Sequence, residues 1–114
     1  MTQLDAIVMA YLESALWTSA DDPEVGTEAT VNDIASPCRA DARAECLAFL
    51  ERAGGLPPTL TPERFGCLFW LMRNGFTRWL DTNPGGLVTQ LTVQARVAGE
   101  VSLYRHTDGL LYFG

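Results

Sequence analysis

The chain has 114 residues, 47% of them hydrophobic, and a formal net charge of −6. That length fits one domain, and that apolar fraction can bury a core without disulfide or metal staples. No apolar run approaches the roughly 18 to 20 residues of a membrane-spanning helix, and the acidic balance disfavours direct binding to nucleic acid.

The layout of charge says more than its total. The first 34 residues hold seven acids (Asp5, Glu13, Asp21, Asp22, Glu24, Glu28 and Asp33) and no basic residue. The other 80 residues hold seven acids and eight arginines, so the N-terminal third carries the whole net charge. Such a field repels phosphates and attracts basic surfaces. Every basic residue besides His106 is arginine, the better partner for bidentate and stacked contacts.

Residues 3–18 predict an amphipathic helix: Leu4, Ile7, Val8, Tyr11, Leu12, Ala15 and Leu16 recur at spacings of three and four, with Thr2 as N-cap. From about residue 19 to residue 35 the period fails. Asp21-Asp22-Pro23 and Gly26 mark a long acidic loop, longer than ordinary connections and so a place to look for function. Ser36-Pro37 predicts a helix start with Ser36 as N-cap, running to about Ala53 before Gly54-Gly55. Its apolar side would hold Cys38, Ala42, Cys46, Phe49, Leu50 and Ala53, leaving Arg39, Arg43, Glu51 and Arg52 wet.

Thr61-Pro62-Glu63 opens a third helix with Phe65, Leu68, Phe69 and Met72 on one stripe, stopped at Asn74-Gly75. Phe76 to Leu80 predicts a turn or short helix, and Asn83-Pro84-Gly85-Gly86 a break. A fourth helix follows over about Leu87 to Ala98, ended by Gly99. The tail alternates through Val101, Leu103, Leu110 and Tyr112 about His106-Thr107-Asp108-Gly109, the pattern of a β-hairpin. The expected fold is α+β: a single compact domain, residues 1–114, of about four helices followed by a C-terminal β-hairpin.

The residues offer little for catalysis, and no enzymatic activity is expected. His106 is the only histidine and falls on a turn, where a general acid or metal ligand lacks shielding and convergent partners. The serines have no histidine or lysine to activate them. Three cysteines (Cys38, Cys46 and Cys67) match no zinc spacing and read as reduced, small apolar side chains. The loop acids lack the ligand alternation of an EF-hand. No cofactor and no metal is expected. Met-Thr-Gln-Leu-Asp at the start lacks a basic leader region, so the expected location is a cytoplasm.

Two surfaces remain as candidate binding sites. One is acidic: Asp21, Asp22, Glu24, Glu28 and Asp33, suited to a partner's basic groove, with carboxylates standing in for phosphates. The other lies in the dense string Phe69 to Trp79. There the helical stripe accounts for Phe69 and Met72 and leaves Trp70, Arg73, Arg78 and Trp79, residue types that anchor interfaces. Arg73 and Arg78 alternatively answer the acidic loop internally, as a clasp.

Three stretches, Ala10-Tyr11-Leu12-Glu13-Ser14-Ala15-Leu16-Trp17, Cys46-Leu47-Ala48-Phe49-Leu50 and Phe69-Trp70-Leu71-Met72-Arg73-Asn74-Gly75, resemble in order a group of small acidic proteins from bacteriophages and other mobile elements. The closing Gly99 to Tyr104 and Asp108 to Tyr112 stretches fit the same pattern. The Phe-Trp-Leu-x-Arg-Asn-Gly string is the most specific part. Members continue with a His-Gly stretch that is replaced here by Phe76-Thr77-Arg78-Trp79-Leu80-Asp81. The resemblance implies a host-cell cytoplasmic protein and carries no chemistry. By analogy of class, it implies a binder that inhibits or redirects host nucleic-acid-handling machinery such as a CRISPR or restriction system. The alternative is an assembly accessory acting as a homodimer or through its aromatic surface, and a third reading uses Arg73, Arg78 and stacked aromatics on single-stranded nucleic acid.

Overall fold

The computed structural model describes residues 2–76 and 87–114. In chain order it contains α1 (Gln3–Thr18), a 3-10 turn (Val31–Asp33), α2 (Ser36–Arg52), α3 (Pro62–Arg73), α4 (Leu87–Arg96), β1 (Leu103–Arg105) and β2 (Leu111–Phe113). The expected α+β fold, four helices and then an antiparallel hairpin, is the fold observed. Residues 77–86, where the short helix after Phe76 and the Asn83–Gly86 break were expected, lie outside the described residues.

Local chemistry explains most element ends. Thr2 caps α1 through a reciprocal capping box: its hydroxyl accepts from Asp5 N–H and the Asp5 carboxylate accepts from Thr2 N–H, each at 3.1 Å. Thr61 Oγ1 accepts from Arg64 N–H at 3.1 Å and starts α3. The start of α2 differs from expectation. Ser36 is the first helical residue rather than the cap, Ala35 holds the cap position, and no side chain bonds there. A tertiary bond nonetheless fixes the entry of α2 against β2: Ala35 N–H donates to Leu111 O at 2.9 Å. The fourth helix ends at Arg96, two residues short of the expected Ala98, with Ala98 and Gly99 closing a turn.

Asp5 also accepts from the Arg43 guanidinium on α2. That bond, helped by Thr2, lowers its carboxyl from 3.8 to about 2. A depressed folded-state pKa contributes stability that is present above the unfolded value and lost as pH falls through the folded one. The thermal midpoint should therefore drop between pH 3.8 and about 2, and Asp5→Asn should flatten that drop. An identical acid profile in the variant would show that the Asp5 link does not contribute.

The core centres on α3, which packs on α1 and also meets α2 and α4. Phe49 stacks on Phe69 with centroids 4.3 Å apart and on Phe65 at 4.8 Å, while Tyr11 tilts onto Phe69 at 5.2 Å. Each such ring contributes on the order of 1.5–3 kcal/mol by burial. The hairpin leans on this cluster through Leu103 and Leu111, both buried, and through Phe113, 5.8 Å from Trp70. Strand pairing runs Leu103 to Phe113, Tyr104 to Tyr112 and Arg105 to Leu111, with His106 N–H closing the loop onto Leu110 O at 2.9 Å. Among the described residues no helix is long and apolar enough to cross a membrane.

Candidate functional site

The structure separates the two candidate surfaces. Trp70 and Arg73 are 2% and 1% exposed, so neither forms an outward surface. Trp70 meets Tyr11 edge-on at 5.4 Å and donates its indole N–H to Thr18 Oγ1 at 2.7 Å. Arg73 extends its guanidinium into the centre of the molecule, 5.5 Å over the Phe69 ring. It donates to Glu45 Oε2 at 2.8 Å, Tyr11 Oη at 2.9 Å, Ala98 O at 2.9 Å and Gly99 O at 2.7 Å. The internal clasp is therefore real, but its carboxylate is Glu45 on α2 and not an acid of the loop. Arg78 and Trp79 lie outside the described residues.

Two neighbours of the clasp show what its surroundings do to titratable groups. Burial raises the Tyr11 phenol well above its usual value. Burial, reinforced by the Glu45 charge, pushes the Cys46 thiol up to about 12, which makes it a poor nucleophile. Cys46 and Cys38 are both buried and reduced.

Asn74 completes the stop of α3 and ties it to the hairpin. Its amide donates to Trp70 O at 3.0 Å, and its carbonyl accepts from Val101 N–H at 3.0 Å.

The acidic loop is held in one shape by its own side chains. Asp22 Oδ1 accepts from Glu24 N–H at 2.9 Å, and Asp22 O accepts from Gly26 N–H at 2.9 Å. Gly26 takes φ +81°, a left-handed conformation that favours glycine. Asp33 Oδ2 accepts from Thr30 N–H at 2.7 Å, within the 3-10 turn. Val25 is buried and anchors the middle of the loop in the core.

Arg105 on β1 fastens this loop to the hairpin. Its Nε donates to Glu24 O at 2.7 Å, its Nη2 to Val25 O at 3.2 Å and its Nη1 to Gly109 O at 2.7 Å. The consequence is electrostatic. The Arg105 guanidinium donates to backbone carbonyls and, among the described residues, forms no ion pair with the loop carboxylates.

Asp21, Glu24 and Glu28 are exposed. Among the described residues the ion pairs are Arg43 with Asp5, Arg73 with Glu45, and His106 with Asp108 at 3.8 Å, and none includes an acid of the loop. Asp22 and Asp33 shape the loop, while Asp21, Glu24 and Glu28 present charge.

His106 sits half-exposed on the hairpin turn. Tyr112 donates its hydroxyl to Asp108 at 2.6 Å, which lowers the Asp108 carboxyl and raises the Tyr112 phenol. Among the described residues no three histidine, cysteine or acidic side chains converge as a metal ion would require.

No family model, curated protein or solved structure matches the chain.

Arg105, Glu45 and Tyr11 are the residues that sequence reasoning did not single out. Tyr11 was placed in the core as an apolar body, with nothing to show that its hydroxyl would meet a guanidinium 62 positions later. Glu45 lies on α2 beside the buried Cys46, and its position at the edge of the apolar stripe is the only local sign of a role.

Proposed function

We propose that the protein is a binding protein whose pre-shaped acidic loop docks on the basic surface of a nucleic-acid-handling complex and competes there with the nucleic acid. The observation that carries this reading is the set of loop carboxylates that form no ion pair among the described residues, on a loop whose backbone Arg105, Asp22 and Asp33 bond. A rigid array of negative charge binds with less ordering cost than a mobile one. Its complement is a surface that otherwise meets phosphates. The resemblance to small acidic phage proteins supports a phage or prophage origin, action in a host cytoplasm, and a defence complex such as a CRISPR or restriction system as the target.

The test is to mix purified protein with such complexes and follow their retention of labelled DNA. Retention should fall as the protein is added. The effect should weaken by roughly tenfold or more between about 0.1 M and about 0.5 M salt. DNA retention unaffected at every concentration, across the set of complexes, would contradict the reading. The alternative is an assembly accessory acting as a homodimer or through an aromatic docking surface; Trp70 and Arg73 are buried and contribute nothing to such a surface, while Arg78 and Trp79 lie outside the described residues.

A further inference from the structure

The loop is more than a charged strip, because it forms one wall of a groove. Between α1 and residues 26–32 lies a hollow of about 630 Å³. A second of about 600 Å³ continues it toward α2, and the two share Met9, Val31 and Arg39. The floor is apolar: Met9, Leu16 and Val31, with Trp17 on the rim. Met9 is 41% exposed on the side of α1 that faces this hollow. A flexible thioether at the centre of an open groove suits an incoming apolar side chain.

Charge decides what that side chain comes with. Glu13 lines the groove; Asp21, Asp22, Glu24 and Glu28 belong to the loop that walls it but line neither hollow, and act on it only as a nearby negative field. Against these stands Arg39 at the α2 end, its Nε buried without an acceptor among the described residues. Arg43 beyond it is occupied by Asp5. A second copy of this chain would bring its own seven N-terminal acids to the same place, and nucleic acid would bring phosphates; both are repelled.

Resting on the reading above, we infer that the groove takes a short partner segment with apolar side chains followed at one end by Lys or Arg, that basic end toward Glu13 and away from Arg39. Apolar anchoring supplies what exposed ion pairs do not. Such pairs contribute about 0–1 kcal/mol each and fade with salt, whereas burial of one leucine contributes roughly 1.5–3 kcal/mol and does not.

Two synthetic peptides of equal charge test this: one with two leucines followed by two arginines, the other with two glycines in place of the leucines. Binding is read by calorimetry and by the Met9 methyl resonance. The leucine peptide should bind at least about tenfold more tightly, keep that advantage in high salt, and shift the Met9 signal. Met9→Ser should erase the advantage while leaving the thermal midpoint unchanged. Equal affinities, or an advantage that survives Met9→Ser, would overturn the groove. If the glycine peptide binds as well as the leucine one, and reversal of Asp21, Asp22 and Glu24 to Arg abolishes both, the acidic surface stands and the groove alone fails. Failure of both peptides to bind contradicts both readings.

Discussion

Arg73→Met should destabilise the protein by about 3–5 kcal/mol, read as a lowered urea midpoint. The guanidinium joins α1 through Tyr11, α2 through Glu45 and the turn after α4 through Ala98 and Gly99. Methionine fills much of the volume but donates nothing. Tyr11 loses its charged neighbour, two backbone carbonyls lose their donor, and a half-exposed Glu45 turns back to water. Against the 5–15 kcal/mol that holds a typical domain, such a loss is a large fraction. Arg73→Lys should recover only part of it, since one ammonium cannot fork to acceptors on four sides. A midpoint within about 1 kcal/mol of the parent for Arg73→Met would show that the clasp does not hold the helices together.

Gly66→Ala should cost more than about 3 kcal/mol, although the same change on an exposed helix face is stabilising by roughly 1 kcal/mol. Gly66 is helical and buried in α3 where it crosses α1. A Cβ there would lie 2.1 Å from Ile7 O and 2.9 Å from Ile7 C. Those are backbone atoms of a second helix and cannot swing aside as a side-chain end can. The two helices would have to separate by more than 1 Å, which opens the Tyr11–Phe69 contact and the Trp70–Thr18 bond together. Folding at the parent midpoint in Gly66→Ala would mean that the α1–α3 crossing is looser than the structure has it.

These two residues also show where sequence reasoning stops. The stripe Phe65, Leu68, Phe69 and Met72 was legible because α3 repeats its apolar residues with helical period, and all four are buried. Period analysis assumes a solvated back, however, and α3 has almost none: Gly66, Trp70, Leu71 and Arg73 are buried too. Trp70, off the stripe, is therefore expected to face outward and is buried instead; Arg73, open between a partner surface and an internal clasp, is buried in a clasp whose acid is Glu45. Gly66 carries no sequence mark that separates a close crossing from an ordinary helical glycine.

The hairpin and the helix ends were readable because they rest on local chemistry, as at Thr2, Thr61 and Asp108-Gly109. The start of α2 departs from the Ser36 cap by one residue: Ser36 is already helical, no side chain caps the helix, and Ala35 is positioned by a long-range bond to Leu111 that the sequence does not mark. The acidic loop was legible as a run of charge. Its shape was not, since besides the local bonds of Asp22 and Asp33 it depends on Arg105, some 80 positions away along the chain.

The acidic surface is the centre of the functional account, and one variant tests it most directly. Asp21, Asp22 and Glu24 are replaced together by Arg, and the thermal midpoint is compared first. Asp21 and Glu24 are exposed, and Asp22 contributes one bond to the loop, so a loss of no more than about 1 kcal/mol is expected. DNA retention by a complex that the parent protein inhibits is then measured against variant concentration. The account predicts that inhibition is abolished while the fold persists. A folded variant with undiminished potency would contradict it.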